Sequence, residues 1–222
     1  MGDRPMNNCV FCPQNRFKKN YEVGFTLQES LIFENEYLYI TPDLSALLPG
    51  HLLIVSHGHY NSYSSAPAKV KNALKEALIY IHHDLGYTNI TWFEHGAVFP
   101  GKGGASIDHA HLHVIPQSIN LQSLVEQDPL YSASFDYSDE LFDSLARKQP
   151  YLWISDGFDL DKSKLYFVNK IPSQYLRILV MKMQGSDNYN WKNNYKSKSI
   201  KEKYRESLKI INSQRIANGR NT

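Results

Sequence analysis

The run His109-Ala-His111-Leu-His113-Val-Ile-Pro116 constrains the fold of this 222-residue chain more than any other feature. Histidine alternates with apolar residues, which fits a β-strand, where side chains two apart share a face. The three imidazoles then project together, with Ala110, Leu112 and Val114 turned toward a core. One metal held by all three is disfavoured. Same-face neighbours are ~6.6–7 Å apart and the outer pair ~13 Å apart, too far for ligand bonds of ~2 Å to close. A row of separate chemical tasks fits better.

The segments before this run supply its partners. Leu31–Phe33 and Tyr37–Ile40 read as a hairpin around Asn35-Glu36. Pro49-Gly50 is a turn, and His51–Ser56 is a buried strand. From Pro67, Val70, Leu74, Leu78, Ile81 and Leu85 recur at helical spacing, and Gly86 marks a stop. Ile90–Glu94 and Ile107–Ile115 are strands around a glycine-rich loop, 96–106. The expected fold class is α+β: an antiparallel meander sheet with one long helix packed on it, over residues 1–117.

Residues 118–222 form a mixed α/β C-terminal extension. Ser138–Arg147, Gln174–Met183 and Ile200–Ile211 read as helices, and Tyr151–Ser155 and Leu165–Val168 as strands. The Lys/Arg excess from Lys182 onward reads as a solvated, fraying helix face, with a lid or arm that attracts phosphate as the functional alternative.

Composition excludes several classes. With 42% hydrophobic and 21% charged residues, the chain is globular rather than disordered. A formal net charge of +2 gives no electrostatic case for nucleic acid or membrane. No apolar run nears the ~18 residues of a membrane span, and the first residues do not read as a signal peptide. The cytoplasm is the expected location. The two cysteines, Cys9 and Cys12, are too few for a disulfide framework. Their Cys-x-x-Cys spacing lacks the preceding strand of a redox motif, so metal is favoured, with histidines completing a tetrahedral zinc. His57 and His59 read as surface residues, and His82 and His83 as solvated positions on the long helix.

The run His109–Pro116 resembles the signature of the histidine triad family of nucleotide hydrolases and transferases. Leu48-Pro-Gly-His51-Leu-Leu-Ile-Val-Ser-His57, Gly103-Gly-Ala-Ser106 and Cys9-Val-Phe-Cys12 are similar, in order, to segments of its zinc-knuckle bacterial members. The resemblance implies a nucleotide phosphoester or phosphoanhydride hydrolase, or a nucleotidyl transferase, with His111 as nucleophile and a covalent nucleotidyl-histidine intermediate. The alternative is a catalytically weak nucleotide-binding or regulatory module.

In that reading His113 donates to a phosphate oxygen, Ser106 contacts phosphate or leaving group, and Asp43 holds the ribose. Lys102, Gly103, Gly104, Gln174 and Arg177 are candidate substrate contacts, with a solvated loop lysine and a buried structural salt bridge as the other readings of Lys102 and Arg177, and Asn190-Trp191 resembles part of a bacterial extension. Glu94 stands near a position where an amide is common, so its carboxylate is read as serving a sugar hydroxyl or orienting a histidine. The resemblance also implies one structural zinc on Cys9, Cys12, His51 and His109, and a homodimer whose sheets join. The extension is the rival cover for the same surface.

Overall fold

Val70, Leu74, Leu78, Ile81 and Leu85 are each 3% exposed or less. At about 1.5–3 kcal/mol per buried aliphatic side chain, this stripe fixes the long helix on the sheet. In the computed structural model, which describes residues 8–101, 104–168, 170–186, 190, 192 and 195–217, that helix is α3 (Ala68–His83), with Pro67 at its N-cap. Before it come the short helices α1 (Lys18–Glu22) and α2 (Leu27–Ser30), the latter closed by a Thr26/Glu29 capping box.

The strands are β1 (Phe33–Glu34), β2 (Leu38–Pro42), β3 (Leu52–Ser56), β4 (Thr91–Gly96), β5 (His111–Ile115), β6 (Tyr131–Asp136), β7 (Tyr151–Ser155) and β8 (Lys164–Val168). They form one antiparallel sheet in the order β1-β2-β3-β5-β4-β7-β8-β6. The α+β architecture with a long helix on an antiparallel sheet is as expected. The order refines the meander, because β5 inserts between β3 and β4.

The extension adds α4 (Leu121–Glu126), α5 (Asp139–Leu141), α6 (Tyr175–Met183) and α7 (Lys198–Ala217). Its strands continue the sheet across the 117/118 boundary, since β7 pairs with β4 from Trp92↔Ser155 to Gly96↔Tyr151. The edge of β4 is thus filled from within the chain. In place of a regular helix over 138–147, α5 gives way at Phe142 to a π-turn, which seats Phe142 against Trp153 and Tyr151.

The sheet divides two cores. On one face α3 packs with Leu38, Ile40, Leu112, Val114, Trp92 and Trp153, joined by Tyr204 and Ile211 of α7. On the other, α4 and α6 cover Phe93, Ile115, Leu152 and Ile154, and Phe17 covers Tyr39, Leu53 and Val55. The second face carries the histidines.

Candidate active site and metal centre

β5 begins at His111, not at residue 107, so His109 lies just before the strand. His111 pairs with Val55, and His113 with Leu53 on one side and Phe93 on the other. Phe93 stacks on the His113 ring, 4.8 Å between centroids at 22°.

Hydrogen bonds set the tautomers. His111 Nδ1 lies 2.5 Å from the His109 carbonyl oxygen. A carbonyl only accepts, so Nδ1 carries the proton and Nε2 keeps its lone pair. Leu47 N–H donates to His51 Nδ1 at 3.1 Å, which puts the His51 proton on Nε2, 3.0 Å from His113 Nδ1. His113 Nδ1 therefore accepts, and its proton sits on Nε2. Burial keeps these rings neutral: it lowers His111, carries His113 well down and takes His51 to about 3 against the pull of Asp43.

Asp43 is buried. Its Oδ1 accepts from Ser45 N–H at 2.9 Å, and its Oδ2 from Arg177 Nη1 at 2.6 Å. Arg177 Nη2 donates to the Ser45 carbonyl at 2.6 Å. Burial pushes the Asp43 carboxyl up, but Arg177, His51 and the Ser45 amide outweigh it and hold it below the ordinary range. Asp43 and Arg177, expected separately, are thus one ion pair.

Val10, Phe11, Phe17, Tyr39 and Leu53 form the apolar wall of a pocket, and Asp43, Ser45, Ser106, His111, His113 and Arg177 its polar side. Phe11 lies 5.1 Å from the His111 ring, centroid to centroid.

The extension also grips the glycine-rich loop. Gln174 N–H donates to the Gly104 carbonyl at 2.8 Å. Gly104 has φ +71°, and a Cβ there would run into the Pro172 carbonyl oxygen at 2.8 Å and the Ile171 side chain, so no side chain fits. The Gln174 side chain reaches Asn190 Oδ1 at 3.5 Å. Lys102, Gly103 and Trp191 lie outside the described residues.

Glu94 is a correction. Phe93 and His95 share the histidine face, so the pleat turns Glu94 to the α3 side. There its carboxylate accepts from Tyr63 N–H at 2.8 Å and Tyr151 OH at 2.6 Å. Burial pushes it up to about 8 against both hydrogen bonds. Among the described residues it neither lines the pocket nor hydrogen-bonds a histidine.

The metal set is a second correction. Cys9, Cys12, His59 and His109 bring one ligand atom each within 4.8 Å of the others. Cys9 Sγ lies 3.4 Å and Cys12 Sγ 3.9 Å from His109 Nδ1, and His59 Nδ1 lies 3.2 Å from Cys12 Sγ and 3.3 Å from His109 Nδ1. Bonds of ~2.0–2.3 Å in a tetrahedron separate ligands by roughly 3.3–3.8 Å, so the set fits zinc. His109 Nε2 faces the Ser56 carbonyl at 2.7 Å, leaving Nδ1 as the ligand atom, the usual outer-shell arrangement. Burial, and then the Cys9 sulfur, push the Cys12 thiol up to about 12, and a cation would relieve that crowding of negative charge. His51 is not part of this set, because its two nitrogens face Leu47 and His113. His59, half-buried, replaces it.

Two site residues escaped sequence reasoning. His59 follows β3 in a segment tied to residue 110, where Ala110 N–H donates to the Tyr60 carbonyl. His95 lies on the histidine face of β4, a placement that strand alternation gives once Phe93 is set opposite His113.

Residues 25–119 match the family model of the HIT domain. A HIT family hydrolase from Clostridium thermocellum is 21% identical and covers 52% of this chain and 94% of its own, with a TM-score of 0.39. A Zn-bound histidine triad family protein from Mycobacterium smegmatis is 20% identical, covers 64% and 91%, and has a TM-score of 0.36. The yeast Ap4A phosphorylase Apa2, in complex with AMP, is 13% identical, covers 63% and 58%, and has a TM-score of 0.38. No curated protein matches the chain.

Proposed function

With residues 25–119 a HIT domain, we propose that this protein is a nucleotide hydrolase or nucleotidyl transferase acting at an α-phosphate through His111. One observation carries the reading: Nδ1 of His111 is tied to the His109 carbonyl at 2.5 Å, which leaves Nε2 a neutral nucleophile in a ring that lines the pocket.

The nucleoside fills the apolar side of the pocket against Phe11 and Leu53, with its ribose toward Asp43. Nε2 of His111 forms a bond to the α-phosphorus, and the bond from phosphorus to the leaving group breaks with its electron pair. The new positive charge on the ring is stabilised by Nδ1–H against the His109 carbonyl. His113 Nε2–H donates to a non-bridging phosphate oxygen as charge builds there. Ser106 contacts the same phosphate or the leaving group. Water, phosphate or another acceptor then takes the nucleotidyl group, and His111 returns to its starting state.

Zinc on Cys9, Cys12, His59 and His109 supplies a structural crosslink in this reading. It would pin the segment carrying Phe11 against the residue before β5. Among the described residues no helix is long and apolar enough to cross a membrane.

The test is a panel of dinucleoside polyphosphates, adenosine phosphoramidate and nucleoside diphosphate sugars, each with and without phosphate. The parent chain is expected to turn over at least one and to show a nucleotidyl adduct by intact mass. His111→Gly is expected to lose turnover by at least about 10³-fold while still binding a nucleoside monophosphate. A variant that keeps the parent's rates shows the nucleophile to be another group. A chain that binds nucleotides but forms no adduct is a binding module.

A further inference from the structure

The two residues between the cysteines of the metal set line the nucleoside side of the pocket. Val10 and Phe11 stand between Cys9 and Cys12, and both belong to the apolar wall. The Phe11 ring lies 5.1 Å from the His111 ring and 5.8 Å from that of His109, centroid to centroid. It packs against the cluster of Phe17, Tyr39, Leu53 and Val55. One short turn thus carries two of the four metal ligands and part of the surface that a nucleoside would touch.

Little backbone bonding ties that turn down. Cys12 N–H donates to the Cys9 carbonyl at 3.3 Å, Asn15 Nδ2 to the same carbonyl at 3.0 Å, and Arg16 N–H to the Cys12 carbonyl at 2.8 Å, all within residues 9–16. Among the described residues, the one hydrogen bond from the backbone of residues 9–12 to the sheet is the 3.4 Å contact of Tyr39 OH with the Phe11 carbonyl. The other polar ties are the Sγ contacts with His59 and His109. Where Val10 and Phe11 stand therefore depends on the metal centre.

His109 adds a second link. Its ring presents Nδ1 to the cysteine sulfurs, while its own carbonyl holds the His111 Nδ1 proton at 2.5 Å. A cation on the ring fixes the residue whose carbonyl sets the tautomer of His111.

We propose that zinc binding and nucleotide binding are coupled through Phe11 and His109, each raising the affinity for the other. This rests on the nucleotide reading of the pocket and names a regulation of that site. Without the cation, a nucleoside must order Val10 and Phe11 as it binds. With a nucleoside seated against Phe11, the turn is already ordered and the ligand atoms stand together, so zinc binding costs less conformational entropy. Linkage makes the two gains equal. Nucleotide affinity then follows the supply of zinc.

Competition for zinc with a chromogenic chelator, with and without saturating AMP, tests this on the full chain. The parent is expected to hold zinc at least about 5-fold more tightly with AMP, the lower end of coupling between sites. The hold of AMP itself on zinc acts in the opposite direction. Phe11→Ala is expected to keep one zinc and, at AMP concentrations that saturate it, to gain less than about 2-fold. Phe11→Leu keeps an apolar wall without the ring and is expected to fall between the two. A parent that binds AMP with no change in zinc affinity overturns the coupling and leaves the nucleotide reading standing. An equal gain in the parent and either variant also overturns it, because the linkage then runs through folding of the whole chain and not through this turn. A zinc-loaded parent that binds no AMP overturns both readings.

Discussion

Arg177 Nη1 donates to Asp43 Oδ2 at 2.6 Å, joining residues 134 apart in sequence inside the pocket wall. This buried pair commits the extension to the site. Arg177→Met leaves a carboxylate buried without its cation, at a cost of about 3–5 kcal/mol. Asp43 is held below its ordinary range in the folded chain. Its contribution is therefore present above the ordinary carboxylate pKa and is lost as pH falls through the folded value. Urea unfolding at neutral and acid pH is expected to show Arg177→Met losing much of its stability difference from the parent in acid. Asp43→Asn with Arg177→Met is expected to cost less than the sum of the single changes.

The metal centre separates His59 from His51. Elemental analysis of untagged protein is expected to give one zinc per chain. Cys12→Ser and His59→Ala are expected to lose it and to unfold at lower temperature, because metal binding is coupled to folding. His51→Ala is expected to retain zinc and to lose activity, since it removes the donor to His113 Nδ1. Zinc loss in His51→Ala with retention in His59→Ala reverses the assignment.

Glu94 gives a pH signature unrelated to the pocket. Its carboxyl is raised from 4.5 to about 8 in the folded chain. The folded state then binds more protons than the unfolded state between those values, so this group's stabilisation falls as pH rises across that window, by at most about 1.4 kcal/mol per pH unit. Glu94→Gln keeps an acceptor for Tyr63 N–H and never ionises. Its stability is expected to be flatter than the parent's between pH 5 and 8. Equal slopes for parent and variant count against a neutral buried acid.

β7 bears on assembly. It fills the β4 edge along five residue pairs, so that edge offers no open ladder to a second chain. Sedimentation at micromolar concentration is expected to show a species near 25.6 kDa. A species of twice that mass places the contact elsewhere, at β1, β6 or a helical face.

The sheet, α3 and the histidine face were legible because their signals are local. The α3 stripe has a 3.6-residue period, and the triad has a period of two. Tyr151–Ser155 was legible as a strand in a short apolar run bounded by Pro150. β6 was not, because YSASFD carries polar and half-exposed residues on both faces. The identity of His59 over His51 depends on which loop lies over Cys12, a tertiary fact with no trace in spacing. Glu94 was misread because its facing depends on register, and one residue along a strand reverses it. Arg177 and Asp43 were each legible as polar and near the site, but their pairing needs α6 folded back to the residue after β2.

The β4–β7 ladder also sets a timetable for synthesis. The strands that pair with His111 and His113 all precede residue 116, yet the second partner of β4 starts at Tyr151. At ~5–20 residues per second, the roughly 55 residues between these strands take several seconds to appear. During that interval a nascent chain exposes the unpaired amides and carbonyls of a strand carrying Trp92 and Phe93. Polysome-bound chains stopped before residue 150 are thus the form of this protein with the greatest need of chaperone cover.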